Sequence, residues 1–515
     1  MTNRRANYIN MVDHLTDIPL TNIEKETNLT RESPYRQNFH IESESGSLGD
    51  PNGFSYFNKN YHLFYQWSPL EFSQNPHYTH HGWKHLCSPD LIHWQDLGAG
   101  MESDTRYDKY GTYSGSAFPV DDKLFIMYTG NTWVNTESDD DWQRIPYQIG
   151  AWMEANNKIK KVCTPFITGT LKGYTGHFRD PKVFKKHDKY YAVLGIQRNN
   201  QTGSAVLAES DDLHNWQILG EIKTNHNKFG YMWECPDYYE LDDKGILAFC
   251  PQGLESEDNK FCNIYQSGYL IGKPLNMSDR NFVCGKFHEL DKGFDFYAMQ
   301  TTKDKKGRRI LMAWMGLPEI VYPTVKYHYT GCMIFPRELK LENNVIVQQP
   351  VAEIKDLYSK KYQITASLNN KRIEIKAGKQ NSRDIELAIV GHNDATILDL
   401  FANKNNSRHL RLIFNRKKQK FIVDRSCSGL EIASSYGTSR SCYLDQSKLI
   451  KVRILQDVSS AEIFLNNGKE VFSMRIFPDD MQNFIYLTSE NGEAKIKATI
   501  NQLKVSKVGM SLKDN

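Results

Sequence analysis

The apolar positions of this chain follow two regimes. Between about residues 35 and 345, short apolar runs are split by clusters of Gly, Asn, Asp and Lys: KLFIMYTG (123–130), KYYAVLGIQ (189–197), GILAFCPQG (245–253) and RRILMAWMG (308–316). Each run has strand length and none sustains a helical period. Consecutive apolar positions mean burial on both faces, which is how the stacked blades of a β-propeller bury strands. Further on the alternation is cleaner. Ile385, Leu387 and Ile389 alternate with polar or small residues, as do Leu410, Leu412 and Phe414, and Ile450, Val452 and Ile454. One buried and one wet face predicts a sandwich of two antiparallel sheets. Asn466-Asn467-Gly468, between AEIFL and EVFSMRIF, predicts a hairpin. Tyr8, Met11, Val12 and Leu15, at i, i+3, i+4 and i+7, predict one helix at the start of the chain.

The expected organisation is all-β: a lead-in at 1–32 that is partly helical, a propeller at 33–345, a polar linker at 346–358 and a β-sandwich at 359–515. One internal repeat supports the propeller. SPDLIHWQDLG (88–98) and SDDLHNWQILG (210–220) share S-x-D-L-x-x-W-Q-x-L-G. Two units between the copies give blades of roughly 60 residues and about five of them; three units give seven or eight. The repeat alone leaves both counts open.

Composition narrows the classes. Lys plus Arg is 64 and Asp plus Glu is 61, so the net charge is only +3, with no electrostatic case for nucleic acid or an anionic membrane. Nine cysteines without a C-x-x-C pair argue against a zinc ribbon and suit reduced thiols. MTNRRANYINMVDHL lacks the apolar core of a signal peptide, and no apolar run approaches the ~18 residues of a membrane span. The expectation is a soluble cytoplasmic protein. His80, His81 and His85 lack matching Cys or carboxylate spacing and are expected to be ordinary polar side chains. No metal or other cofactor is expected.

Three acidic residues stand at the ends of apolar strand-like stretches: Asp50 in GDPNG, Asp180 in HFRDPKVF and Glu234 in MWECPDYY. DPNG has the residues of a tight turn, so Asp50 is either a turn-former or a reactive group that the turn holds. The three lie far apart in sequence, but a propeller brings the inner strands of all blades to one axis. Glycoside hydrolysis needs two carboxyl groups about the scissile bond. The apolar neighbours of Glu234 favour a protonated acid, and Arg179 beside Asp180 favours an ionised carboxylate.

In combination, DPNG, HLFYQ, YSGS (113–116), RDP (179–181), ECP (234–236) and GFDFYA (293–298) resemble glycoside hydrolase family 32. YTGN, PYQIGAWME, AWMGLPEIVYPT and FPREL are similar to the bacterial members that cleave sucrose-6-phosphate. The resemblance covers roughly residues 33 to 505 and implies a five-bladed β-propeller followed by a β-sandwich. It implies that Asp50 is the nucleophile, Glu234 the acid/base and Asp180 a transition-state stabiliser. It places Gly49, Gln66, Tyr113, Ser114, Arg179, Tyr297 and Trp314 against the sugar. The reaction it implies retains configuration, with a carboxyl separation of ~5–5.5 Å.

Two departures bear on the site. Ser47-Leu48-Gly49 stands where the family usually has Trp-Met/Leu-Asn, and Trp83-Lys84-His85 where it has Trp-Gly-His, which places a charge near the cleft rim. Lys84, Arg144 and Lys326 are the candidates for holding a phosphate. The competing readings are a β-fructosidase for plain sucrose or short fructans, a sugar-binding propeller without turnover, and an inverting pentosan hydrolase.

Overall fold

A computed structural model describes residues 11–73, 78–134, 143–169, 171–479, 482–506 and 508–510. Five sheets follow one another in sequence, each a blade whose strands are hydrogen-bonded mainly in chain order. Blade one is Gly46–Phe57, Asn60–Ser68, Gly82–Ser88 and Gln95–Met101. Blade two begins with Thr112–Val120 and Lys123–Val134, blade three with Tyr174–Lys186 and Lys189–Arg198, and blade four with Met232–Leu241 and Lys244–Gln252. Blade five is Tyr297–Lys303, Arg309–Trp314, Arg337–Glu342 and Val345–Pro350.

The apolar runs are the second strands of blades two to five. Their burial on both faces has a direct cause. In blade two, Leu124, Ile126 and Tyr128 pack with Phe64 and Trp83 of blade one. The alternate residues Phe125 and Met127 pack with Val183 and Leu194 of blade three. Side chains alternate across a strand, so a blade clamped between two others needs apolar residues at every position.

The repeat marks the same corner in blades one and three. Ser88 Oγ accepts from Leu91 N at 2.9 Å, and Ser210 Oγ accepts from Leu213 N at 2.9 Å. Asp90 and Asp212 cap the next two backbone N–H groups. Trp94 and Trp216 each donate their indole N–H to the carbonyl of the repeat leucine. Two copies of one corner thus lie two blades apart, which fits the count of five.

The sandwich has two six-stranded sheets. The alternating residues of 385–389, 410–414 and 450–454 meet in one core. The hairpin at Asn466-Asn467-Gly468 joins Ser460–Leu465 to Glu470–Arg475, with all three residues at positive φ. It docks on blade five: Gln348 N donates to Gly468 O at 3.0 Å, and a Cβ on Gly468 would fall 1.6 Å from Gln348 O. Only glycine fits there. Residues 346–358 carry all but the first residue of the strand Val345–Pro350 and the 3₁₀ turn Ala352–Leu357.

Buried charges line the junction of the two domains. His40 lies between Asp457, at 2.8 Å, and Glu462, at 2.9 Å, with all three side chains fully buried. Arg337 of blade five reaches Glu462 with Nε at 3.0 Å and Asp291 with Nη1 at 3.1 Å.

The lead-in differs from expectation. Tyr8 lies outside the described residues. Met11 and Val12 are not helical: Val12 N donates to Thr79 O at 2.9 Å, and Leu15 N donates to Glu102 Oε1 at 2.7 Å. Tertiary hydrogen bonds replace the helical ones, as expected where an isolated short helix is marginal. The α-helix comes later, at Leu20–Arg31.

Candidate active site

One device recurs in all five innermost strands. Between Leu48 and Pro51, Thr112 and Gly115, Arg179 and Lys182, Glu234 and Asp237, and Tyr297 and Gln300, three steps along the inner strand face two along its partner. Each is a β-bulge, which frees a residue from the ladder and re-aims its side chain. The bulges carry Gly49-Asp50, Tyr113-Ser114, Asp180 and Cys235, and in blade five Ala298 follows Tyr297. Asp180, Cys235 and Ala298 take the same position in three consecutive bulges, at φ of 63, 47 and 52°. Such backbone costs on the order of 1–3 kcal/mol per residue and persists only where the surroundings enforce it.

DPNG is accordingly not a tight turn. Asp50 to Gly53 lie inside the strand Gly46–Phe57, and Pro51 is accommodated because the bulge interrupts the ladder. Gly53, at φ 53°, belongs to a second bulge, where a Cβ would approach the Phe64 ring to 2.7 Å. Asn52 is structural: its Oδ1 accepts from Gly115 N at 3.0 Å and ties blade one to blade two.

The freed carboxylates converge. Ser114 Oγ donates to Asp50 Oδ2 at 2.7 Å, and Gln66 Nε2 donates to that hydroxyl at 2.8 Å. Cys235 N donates to Asp180 Oδ2 at 3.0 Å, while Cys235 Sγ lies 3.8 Å from Asp50 Oδ2. One cysteine therefore touches two of the carboxylates and adjoins the third, Glu234. Three donors meet Glu234: Arg179 Nη2 at 2.5 Å on Oε1, Gln252 Nε2 at 2.7 Å on Oε2, and the Tyr297 hydroxyl on Oε2. Burial pushes the Asp50 carboxyl up to about 6; the Ser114 bond opposes the shift and the Glu234 charge adds to it. Asp180 is raised too, chiefly by burial, with Arg179 opposing and Glu234 adding.

Two electrostatic expectations are corrected. Burial of Asp180 outweighs the charge of Arg179, whose Nε is 3.8 Å away and whose Nη2 reaches Glu234. The surroundings of Glu234 are polar, because neighbours along a strand point to the other face. Trp233 instead stacks on Phe249, with centroids 4.0 Å apart. Lys84 is also not a rim charge. It is buried, ion-paired to Asp96 at 2.6 Å, with its ammonium 4.3 Å from the Trp67 ring centroid. His81 bonds Ser68 at 2.7 Å, and His85 bonds His62 at 3.0 Å.

The remaining predicted residues divide as follows. Gln66, Ser114, Arg179 and Tyr297 belong to the hydrogen-bonded cluster. Tyr113 packs edge-on to His81. Trp314 is paired with Tyr297 across the ladder. Beside Gly49, an added Cβ would meet only Gln66 atoms, at 3.6 and 3.8 Å. Sequence reasoning missed Gln252 and Cys235. Nothing local marks Gln252, which reaches Glu234 from the neighbouring strand. Cys235 lies within ECP, where its apolar side chain gives no sign that its N–H and thiol meet Asp180 and Asp50.

A propeller whose bulged inner strands gather three carboxylates at one mouth is the architecture of a glycoside hydrolase. Residues 40–350 match the glycosyl hydrolases family 32 N-terminal domain, and residues 353–507 match the glycosyl hydrolases family 32 C terminal. The chain belongs to glycoside hydrolase family 32. A sucrose-6-phosphate hydrolase of Staphylococcus xylosus is 39% identical over 490 residues, 95% of this chain and 96% of that protein. The solved sucrose-6-phosphate hydrolase of Lactobacillus gasseri is 32% identical and superposes with a TM-score of 0.89, covering 98% of this chain and 100% of the other. A family 32 β-fructofuranosidase of Bombyx mori is 29% identical, with a TM-score of 0.80 over 96% of this chain and 100% of its own.

Proposed function

We propose that the protein hydrolyses the β-fructofuranosyl bond of sucrose-6-phosphate, releasing glucose-6-phosphate and fructose, and that it also turns over sucrose. The observation that carries this reading is the convergence of Asp50, Asp180 and Glu234 at one mouth, in a chain similar along its length to sucrose-6-phosphate hydrolases. In the first step the Asp50 carboxylate attacks C2 of the fructosyl unit, and the bond from C2 to the bridging oxygen breaks. Glu234 gives its proton to that oxygen. In the second step the same Glu234 takes a proton from water, whose oxygen attacks C2 and releases Asp50. Two inversions retain configuration. Asp180 accepts hydrogen bonds from fructose hydroxyls as positive charge develops at C2.

The architecture is that of an enzyme acting on a small sugar, and among the described residues no helix is long and apolar enough to cross a membrane. A phosphorylated disaccharide is met inside a cell, so the proposed location is the cytoplasm.

Steady-state kinetics on sucrose-6-phosphate, sucrose and a short fructan, with NMR of the first-formed fructose anomer, test the reading. Higher kcat/KM for the phosphorylated sugar and a β-anomer first are expected. Asp50→Asn should bind sugar yet lose turnover. Equal use of the fructan would favour the plain β-fructosidase, and an α-anomer first would exclude Asp50 as nucleophile.

A further inference from the structure

The edge strand of a sheet carries a row of unpaired N–H and C=O groups, and where the edge is buried these must find partners. In the sandwich, Glu470–Arg475 is the last strand of its sheet. Its partner comes from the propeller. Lys292 N donates to Val471 O at 2.7 Å, and Phe294 N donates to Ser473 O at 2.8 Å. In the other direction, Ser473 N donates to Asp291 Oδ1 at 2.7 Å, and Arg475 N donates to Asp295 Oδ2 at 2.9 Å. A Cβ on Gly293 would fall 2.1 Å from Ser473 O, so only glycine lets the two chains come this close.

Side chains lock the same stretch. Asp295 is buried; its Oδ1 accepts from the Tyr322 hydroxyl at 2.6 Å, and its Oδ2 also accepts from Arg425 Nη1 at 3.2 Å. The Phe294 ring belongs to the sandwich core, with the guanidinium carbons of Arg425 and Arg440 at 3.9 and 4.2 Å from its centroid. Two residues after Asp295, Tyr297 opens the inner strand of blade five and gives its hydroxyl to Glu234 Oε2. Residues 291–296 belong to no strand, so no ladder of blade five fixes the approach to Tyr297. The sandwich holds that approach instead. In GFDFY, Gly293, Phe294 and Asp295 seat on the sandwich and Tyr297 seats on the acid/base.

We propose that the sandwich is a working part of the active site: Asp295 and Arg425 are positioning residues that fix residues 291–296, and through them Tyr297, so that Glu234 is aimed for proton transfer. The inference rests on the role given to Glu234 above and extends it to a second domain.

The test compares kcat/KM on nitrophenyl β-fructofuranoside with that on the better used of sucrose-6-phosphate and sucrose. Nitrophenolate leaves as a stable anion, so only the disaccharide needs the acid. The ratio of the two values does not depend on the fraction of enzyme that is folded. In Asp295→Asn and in Arg425→Met, kcat/KM on the disaccharide should fall roughly 10- to 100-fold, the scale for a misplaced general acid, with little change on the aryl fructoside. Arg425→Lys should recover part of the loss. Arg453→Gln, which breaks the ion pair to Asp384 elsewhere in the sandwich, should keep the wild-type ratio. Glu234→Gln should lose the disaccharide selectively. If it does, an unchanged ratio in either Asp295→Asn or Arg425→Met, including an equal loss on both substrates, would overturn the inference alone. A Glu234→Gln enzyme that loses neither substrate, or both equally, would overturn the role of Glu234 and this inference with it.

Discussion

Arg179 Nη2 lies 2.5 Å from Glu234 Oε1 on the next blade, whereas its Nε stands 3.8 Å from Asp180, its neighbour in sequence. The arginine therefore positions the proposed acid/base across a blade boundary. Arg179→Gln should lower kcat on the order of 10²-fold, the scale for a misplaced reacting group. Arg179→Lys should recover little, because an ammonium cannot span both His177 and Glu234 as the fork does. Steady-state rates for the two variants check this; a normal kcat in Arg179→Gln would contradict it.

The acid limb of activity should follow Asp50. A nucleophile must be ionised, and burial holds its carboxyl up at about 6. kcat/KM should therefore be lost as pH falls through about 6. The Ser114 hydroxyl bond opposes that upward shift. Ser114→Ala should thus move the limb to higher pH as well as slow the reaction, and a pH–rate profile of the variant against wild type reads the displacement.

Gly49 has room for a side chain. Its φ is not in the left-handed region, and a Cβ there meets only Gln66 at ordinary contact distance. Family 32 usually carries Asn at this point, so Gly49→Asn should restore a polar contact beside the nucleophile. One hydrogen bond of about 1 kcal/mol lowers KM for sucrose roughly 5-fold. A raised KM would show that this chain uses the space for something else.

Stability above neutral pH should depend on His40. Burial lowers its pKa, but the bonds to Asp457 and Glu462 outweigh that and hold it at about 9. The group's folded pKa lies above its ordinary value of about 6.5. Its contribution is therefore complete below about 6.5 and is lost as pH rises through about 9. The thermal midpoint should fall across that window. His40→Leu leaves the buried Asp457 without its cationic partner, while Glu462 keeps Arg337, and should cost about 3 kcal/mol. Unfolding scans at pH 6, 7.5 and 9.5 on both proteins give the comparison; parallel pH dependence would assign the effect elsewhere.

Much of this was legible along the chain, for reasons visible at particular residues. Ile385, Leu387 and Ile389 alternate because one face of their sheet is wet. Leu124 to Tyr128 are apolar throughout because blades one and three cover both faces. The matched capping by Ser88-Asp90 and Ser210-Asp212 is local chemistry, so it leaves a readable repeat. DPNG is ambiguous for an equally physical reason: Pro and Gly serve a bulge as well as a turn, and the residues alone do not say which.

The sequence by itself determined the strands, the two alternation regimes and the presence of Asp50, Asp180 and Glu234 beside strand-forming stretches; that they sit at bulges within the strands did not show in it. Tertiary structure alone decided what those residues meet. Arg179 passes over Asp180 for Glu234, Lys84 turns from the cleft to Asp96, and His40 finds Asp457 and Glu462 more than four hundred residues away. For Arg179 and Lys84, which lie in strands, the physical reason is the same, while His40 stands outside any strand and meets its partners at the domain junction. Neighbours along a strand point to opposite faces, so the partner of a charged side chain lies on another strand, blade or domain, where only the packed fold can bring it.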